Sequence, residues 1–326
     1  MDTLQSGSVD YGYVPTTEVG DLGSLKSQGY TIKPWYEWGL TFIGLNFSNP
    51  KYAPLENQLY IRQAMQHLVN QSAYIKNILL NYGTPTYGPV PTFPASSFLN
   101  PAENKNPYPY STAAAESLLT AHGWSVPKGG GAATCTRAGS GSTECGAGIA
   151  SGTKLSMPLL YTSGVPSLQD EMQALQAAFG SAGIALQLRQ APANTVLSEA
   201  YDCTGKPVSA CPASSTALSI IASPVYTYVP IYYPDGDSLF GCGGATNGGN
   251  YCNTQAEALI KQMITDSPAA AQSALNTYQV LLADQIPVIW FPNSAYQISA
   301  ISPKLGGVTA QDSTAHIYPS TWFQKG

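Results

Sequence analysis

The sequence predicts an α/β chain, and three observations carry that expectation. Segments with strand composition alternate with helix-period segments along the whole chain. A glycine break closes a clear strand–helix–strand unit over residues 155–189. With 44% hydrophobic residues in 326 positions, the chain can bury a large core and form more than one unit.

In chain order, residues 1–33 read as short strands and loops, with a strand starting near Val9-Asp10-Tyr11. Aromatic and β-branched residues predict a strand over 42–46. Residues 58–80 read as one helix, since Ile61, Met65, Leu68, Ile75 and Leu79 approximate a 3.6-residue period. Gly83 and Pro85 end it, and a Pro-rich irregular stretch follows to residue 109. Ser111 is a good N-cap for a helix over 113–121 that buries Leu118 and Leu119 and closes at Gly123. The central unit comprises a strand over 155–161, an amphipathic helix over 168–182, Gly183, and a strand over 184–189. A buried strand is expected over 218–222, and helices over 254–264 and 268–283, with Asp266 or Ser267 as cap and Pro268 in the first turn. Strands over 286–291 and 296–301 complete the alternation.

Six cysteines fall into three close pairs: Cys135 with Cys145, Cys203 with Cys211, and Cys242 with Cys252. Neither a CxxC nor a Cys/His zinc spacing occurs, so no metal or cofactor is expected. Closing a short loop costs the least entropy, which predicts three sequential disulfides stapling three surface loops; six buried free thiols are the alternative. The first pair lies in a Gly/Ala/Ser/Thr-rich stretch near 127–152, read as an exposed, disulfide-pinned insertion. Disulfides imply an oxidising compartment, yet Met1-Asp2-Thr3 opens directly into polar sequence with no export leader. The expectation is a mature or truncated piece of an exported protein.

Several functional classes are disfavoured. A net charge of -5 with 14 scattered basic residues gives no footprint for nucleic acid. No apolar run approaches the roughly 20 residues that cross a bilayer. His67, His122 and His316 are far apart in sequence. No nucleophile elbow, Walker A loop or dinucleotide fingerprint is present. Nineteen acidic residues leave a carboxylate-pair glycosidase open.

The order of segments carries a resemblance. Leu4-Gln5-Ser6-Gly7-Ser8-Val9-Asp10, Gly44-Leu45-Asn46 with Ile61-Arg62-Gln63-Ala64, and Gly83-Thr84-Pro85 with Gly88-Pro89-Val90-Pro91 come first. Tyr110-Ser111 through Gly123-Trp124 and Asp284-Gln285-Ile286-Pro287 follow. Together these resemble the family 5 extracellular solute-binding proteins, the peptide- and nickel-binding group that serves ABC importers. The resemblance implies a periplasmic-binding-protein-like (type II) second lobe with partial first-lobe segments. Residues 1–33 would be the tail of the first lobe and hinge approach, 34–300 the second lobe, and 301–326 a segment returning onto the first lobe, most of which would be missing. It further implies a non-enzymatic, extracytoplasmic binding protein, a lipoprotein in full-length form, whose only membrane attachment is a lipid anchor outside this chain. Its partners would be the importer's permease subunits and a small solute, peptide or oligosaccharide.

Ligand-lining residues are expected on cleft-side loops of the second lobe. The family segment W-x-x-D-x-x-D-P, where a carboxylate can hold a peptide amino terminus, corresponds to the stretch from Ser223 to Pro230. Tyr226 and Val229 replace both acids, which argues against a free amine anchored there. Tyr226, Tyr228, Tyr232 and Ser223 are candidate ligand residues, because tyrosine joins a flat apolar face to a hydroxyl suited to stacking on sugar or aromatic solutes. A tyrosine-rich strand packed against its neighbours is the alternative. Trp35 and Trp38, at the hinge, are candidates against a reading as inter-lobe packing. Arg189, ending a strand, is a candidate for a solute carboxylate, against a surface ion pair. Asp235-Gly236-Asp237 reads as a turn rather than a calcium loop. The expected function is solute binding, with an extracellular carbohydrate-active enzyme or carbohydrate-binding module as the second hypothesis.

Overall fold

The alternation of strands and helices resolves into two main sheets joined by two crossings, with three two-stranded pairings beside them among the described residues. The computed structural model describes residues 1–212, 216–221, 225–229, 233–309 and 316–326. Its main elements begin with β1 (Tyr11–Tyr13), β2 (Thr31–Trp35), β3 (Gly39–Leu45), α1 (Leu59–His67) and α2 (Thr112–Ala121). Next come β4 (Ser156–Thr162), α3 (Pro166–Ser181), β5 (Ala185–Ala191), α4 (Ala193–Ala200), β6 (Leu218–Ile220) and β7 (Tyr226–Thr227). The chain continues through α5 (Thr254–Thr265), α6 (Pro268–Gln285), β8 (Val288–Phe291) and β9 (Gln297–Ile301).

The small sheet is antiparallel, in the order β1-β9-β2, and covers a separate cluster that includes Leu4, Leu22, Leu25 and Ile298. The large sheet runs β7-β3-β6-β4-β5, with β8 also paired to β3. β4 is parallel to both β5 and β6, whereas β3 meets β6, β7 and β8 antiparallel. Side chains alternate faces along a strand, and the two faces bury different cores. Ile43, Leu45, Ile289 and Phe291 pack with Ile61, Leu119 and Phe179 of the helices α1, α2 and α3. Leu40, Phe42, Val288 and Trp290 pack on the other side with Ile260, Leu275 and Tyr278 of the α5–α6 pair.

The strand–helix–strand unit forms as expected: α3 carries Pro166 in its first turn, and Gly183 adopts φ +95° before β5. Ser111 Oγ accepts from Ala114 N at 3.1 Å and starts α2. The helix expected over 58–80 is instead broken. α1 ends at His67, and Asn70 Oδ1 accepts from Ala73 N at 3.1 Å, so a polar cap restarts the backbone. A π-turn over Tyr74–Ile78 follows. The helix α4 was not foreseen from the sequence. The end of the strand expected over 218–222 lies outside the described residues.

All three disulfides are formed. The first differs from the expected surface staple. Cys135 and Cys145 are only 1% and 0% exposed and belong to the main core, because the short pairing of Trp124–Ser125 with Thr134–Cys135 draws this segment inward. Cys203 and Cys211 are buried as well.

The chain leaves the small sheet after Trp35 and re-enters it at Gln297. The two crossings lie side by side. Tyr296 N donates to Trp35 O at 2.8 Å, and Asn293 Nδ2 donates to Gly39 O at 3.0 Å.

Candidate functional site

Beside these crossings lies a cleft of about 310 Å³. Val19 and Ile298, from the small-sheet side, form part of its wall; Thr41 of β3 and the first turns of α3 contribute the opposite part. Pro292, Ser294 and Ala295 of the return crossing, with Leu79 and Tyr82, complete it. Open α/β sheets bind ligands outside the carboxyl ends of their strands, and this cleft includes the loop that follows the carboxyl end of β4. Gly164 takes φ +80° in that loop, Ser163 N donates to Ala191 O at 2.8 Å, and Pro166 then opens α3. A second pocket, lined by Val196, Ala200, Phe240 and Gly248 among others, holds about 60 Å³, room for a few waters rather than a large solute.

The electrostatics of the cleft are dominated by acids. Asp170 is exposed at its edge, and Glu171, one residue on, is 5% exposed. Burial, reinforced by the Asp170 charge, pushes the Glu171 carboxyl up to about 8. Its Oε1 has no hydrogen-bond partner, and neither does the buried hydroxyl of Tyr74, whose own pKa is raised by burial and then by Glu171. Among the described residues, no lysine, arginine or histidine lines the cavity.

Sequence reasoning missed Glu171. A signal for it existed: Leu168, Glu171, Met172 and Leu175 fall on one face of α3, so an acid interrupts an otherwise apolar stripe.

The structure gathers the aromatic candidates elsewhere. Trp38 is 2% exposed and lies 5.7 Å from both Phe98 and Tyr228, ring centroid to centroid. Tyr226 meets Tyr228 edge-on at 5.1 Å and shares a 2.9 Å hydrogen bond with Ser238 Oγ. Tyr228 donates to Pro89 O at 2.6 Å. Trp35, at the end of β2, is 3% exposed, and its Nε1 lacks a partner. Arg189 is exposed and pairs with Glu199. None of these five contributes to the cleft wall. Ser223 and Tyr232 lie outside the described residues. Asp235 Oδ1 accepts from Asp237 N at 3.1 Å, with Gly236 left-handed, so this segment forms a turn. Among the described residues, no three His, Cys, Asp or Glu side chains cluster as metal ligands.

Comparison with known proteins follows from this geometry. A family model described as "Bacterial extracellular solute-binding proteins, family 5 Middle" matches residues 1–209. No curated protein matches the chain. Among solved structures, the chain is similar to the oligopeptide-binding protein AppA of Bacillus subtilis in complex with a nonapeptide. The TM-score is 0.74 at 17% identity, covering 100% of this chain and 58% of that one. NikA of Brucella suis in complex with Fe(III)-EDTA gives a TM-score of 0.73 at 15% identity, covering 99% and 59%. The ABC transporter substrate-binding protein CtaP of Listeria monocytogenes gives 0.72 at 16%, covering 99% and 57%. These likenesses show the fold, and the chain spans less than two thirds of each of these structures.

Proposed function

Because the chain belongs to the bacterial extracellular solute-binding proteins of family 5, we propose that it is the extracytoplasmic binding component of an ABC importer. In this reading it captures peptide-like or oligomeric solutes by closing the cleft between its two sheets, and it delivers them to permease subunits. The cleft itself carries the reading. Its walls come from sheets joined by two crossings, the arrangement hinge closure requires. Its volume, about 310 Å³, is at the lower end of ligand sites.

A peptide-like solute is favoured over an oligosaccharide. Tyr226 and Tyr228, the stacking candidates, pack against each other with both hydroxyls engaged and stand away from the cleft. The likeness to a protein solved with a nonapeptide supports the same direction. The carbohydrate-active enzyme is the weaker hypothesis. His67 and His122 each bond a backbone carbonyl through Nδ1 at 2.8 Å, and neither ring lies in the wall of the cleft, so neither is placed as a base for a solute bound there.

Thermal unfolding of the 326-residue chain with pools of tri- to nonapeptides, oligosaccharides and metal chelates tests the proposal. A ligand at about 100 Kd stabilises by about 2.7 kcal/mol. Ser167→Trp, which fills the cleft from the first turn of α3, should abolish that gain. Turnover of any panel compound, or stabilisation undiminished in the Trp variant, would overturn the reading.

A further inference from the structure

Glu171 is the one feature of the cleft that packing leaves unexplained. It occupies the apolar stripe of α3 beside Met172 and Leu175, and its Oε1 is buried without a partner. Burying a carboxyl without compensation is costly, and the groups that face it supply none. Asp170 has the same sign. Tyr74, from the π-turn, brings a hydroxyl that is itself unpartnered. Tyr82 is the remaining ionisable group in the wall among the described residues, and burial raises its pKa. Buried carboxyls serving a structural role are ordinarily paired or hydrogen-bonded: Glu56 leaves its own Oε1 unpartnered, yet its Oε2 accepts from Asn46 N at 2.8 Å and the Arg62 cation lies near it. Among the described residues, Glu171 Oε1 has no hydrogen bond and no cation offsets its burial.

Resting on the reading of this cleft as the solute site, we propose that Glu171, with Asp170 at the edge, is a subsite for a primary ammonium group of the solute. A peptide amino terminus and a lysine side chain share that chemistry. An ammonium carries three donors; Glu171, in the cavity wall, offers an unpartnered Oε1, and Tyr74, close enough to feel its charge, holds a second unpartnered oxygen behind it. The N-terminus of α3 opposes a cation with about half a positive charge, whereas two carboxylates outweigh it. An anionic solute group would meet acids with no base in the wall among the described residues. A bare divalent cation would find no third protein ligand among the described residues. The incoming cation favours the ionised carboxylate, so a Glu171 that is largely protonated at pH 7 loses its proton as the ammonium seats.

The test compares one peptide pool, of tri- to nonapeptides with free amines, with the same pool after acetylation of every amine. The free pool should stabilise the 326-residue chain strongly and the acetylated pool weakly. Glu171→Gln should bind the free pool about 30-fold more weakly or worse and respond to both pools alike. Calorimetry in buffers of different ionisation enthalpy at pH 7 should detect proton release on binding to the wild-type chain, a measurement that needs no variant. Equal stabilisation by both pools, or binding without proton release, overturns the ammonium subsite and leaves the cleft a solute site. Stabilisation by neither pool overturns both.

Discussion

The side-chain amide of Gln66 clamps the backbone of Trp290 at two points. Trp290 N donates to Gln66 Oε1 at 2.8 Å, and Gln66 Nε2 donates to Trp290 O at 3.1 Å. Among the described residues β8 pairs with β3 alone, so the helix α1 supplies what a neighbouring strand would otherwise give. Gln71 repeats the device on Thr86, accepting from its N–H at 2.9 Å and donating to its carbonyl at 2.7 Å.

Gln66→Ala should therefore strand the buried Trp290 N–H, costing about 1–3 kcal/mol, and leave its carbonyl only the long 3.5 Å bond from Gln71 Nε2. Urea unfolding should show a lower midpoint at an unchanged slope.

Arg62 ties the same helix to the end of α6. Its Nε and Nη2 donate to Gln285 O at 3.1 and 3.0 Å, and Nη1 donates to Glu56 O at 2.6 Å. Burial lowers its pKa to about 10 and raises that of Glu56 well above the usual carboxylate range. Arg62→Met removes three donors and the cation near a buried acid, so a loss of about 3–5 kcal/mol is expected in guanidinium unfolding. Arg62→Lys should lose less.

Glu171 gives the fold a signed pH dependence. Its folded pKa of about 8 lies above its model-peptide value, 4.5, so the folded state holds the extra proton between them. That contribution is complete below the lower value and is lost as pH rises through the upper one. Stability of the unliganded chain should fall by up to about 1.4 kcal/mol per pH unit across this window from this group alone. Glu171→Gln should remove that slope and melt higher than wild type at pH 8.5; equal slopes would contradict the assignment.

The disulfide between Cys135 and Cys145 closes a short loop whose ends are buried in the main core. Replacing both residues by alanine should cost about 3 kcal/mol, and the whole large-sheet unit should lose stability cooperatively. Unfolding confined to residues near the loop, seen by hydrogen exchange, would contradict this coupling.

Local periodicity made the α3 unit legible, because Leu168, Met172, Leu175 and Phe179 and the flanking glycines each obey one rule over a short range. The break after His67 was not legible, since Asn70 reads equally as a helix residue and as a cap until its hydroxyl-free amide oxygen finds Ala73 N. The small sheet pairs Tyr11 with Ile301 and Trp35 with Gln297, contacts too distant in sequence for any window to register. Aromatic density near Tyr226 and Tyr228 marks a buried cluster as well as a binding surface, and their bonds to Ser238 and Pro89 come from tertiary packing that no sequence window registers. Glu171 was visible as an oddity on α3, but its lack of a partner depends on how β4, α3 and the π-turn assemble.

The bonds from Tyr296 to Trp35 and from Asn293 to Gly39 fasten the two crossings together. Two separate cords would let one sheet swivel freely over the other. Laced together they make a flat strap, which flexes across its width far more readily than it twists. In the proposed closure, such a strap would reduce relative movement from several degrees of freedom towards one, and Val19 and Ile298 would approach the start of α3 along a repeatable arc. Each excursion would then present the same opposing atoms to a bound solute, and discrimination would be inherited from the mechanics of the joint as well as from the chemistry of the wall.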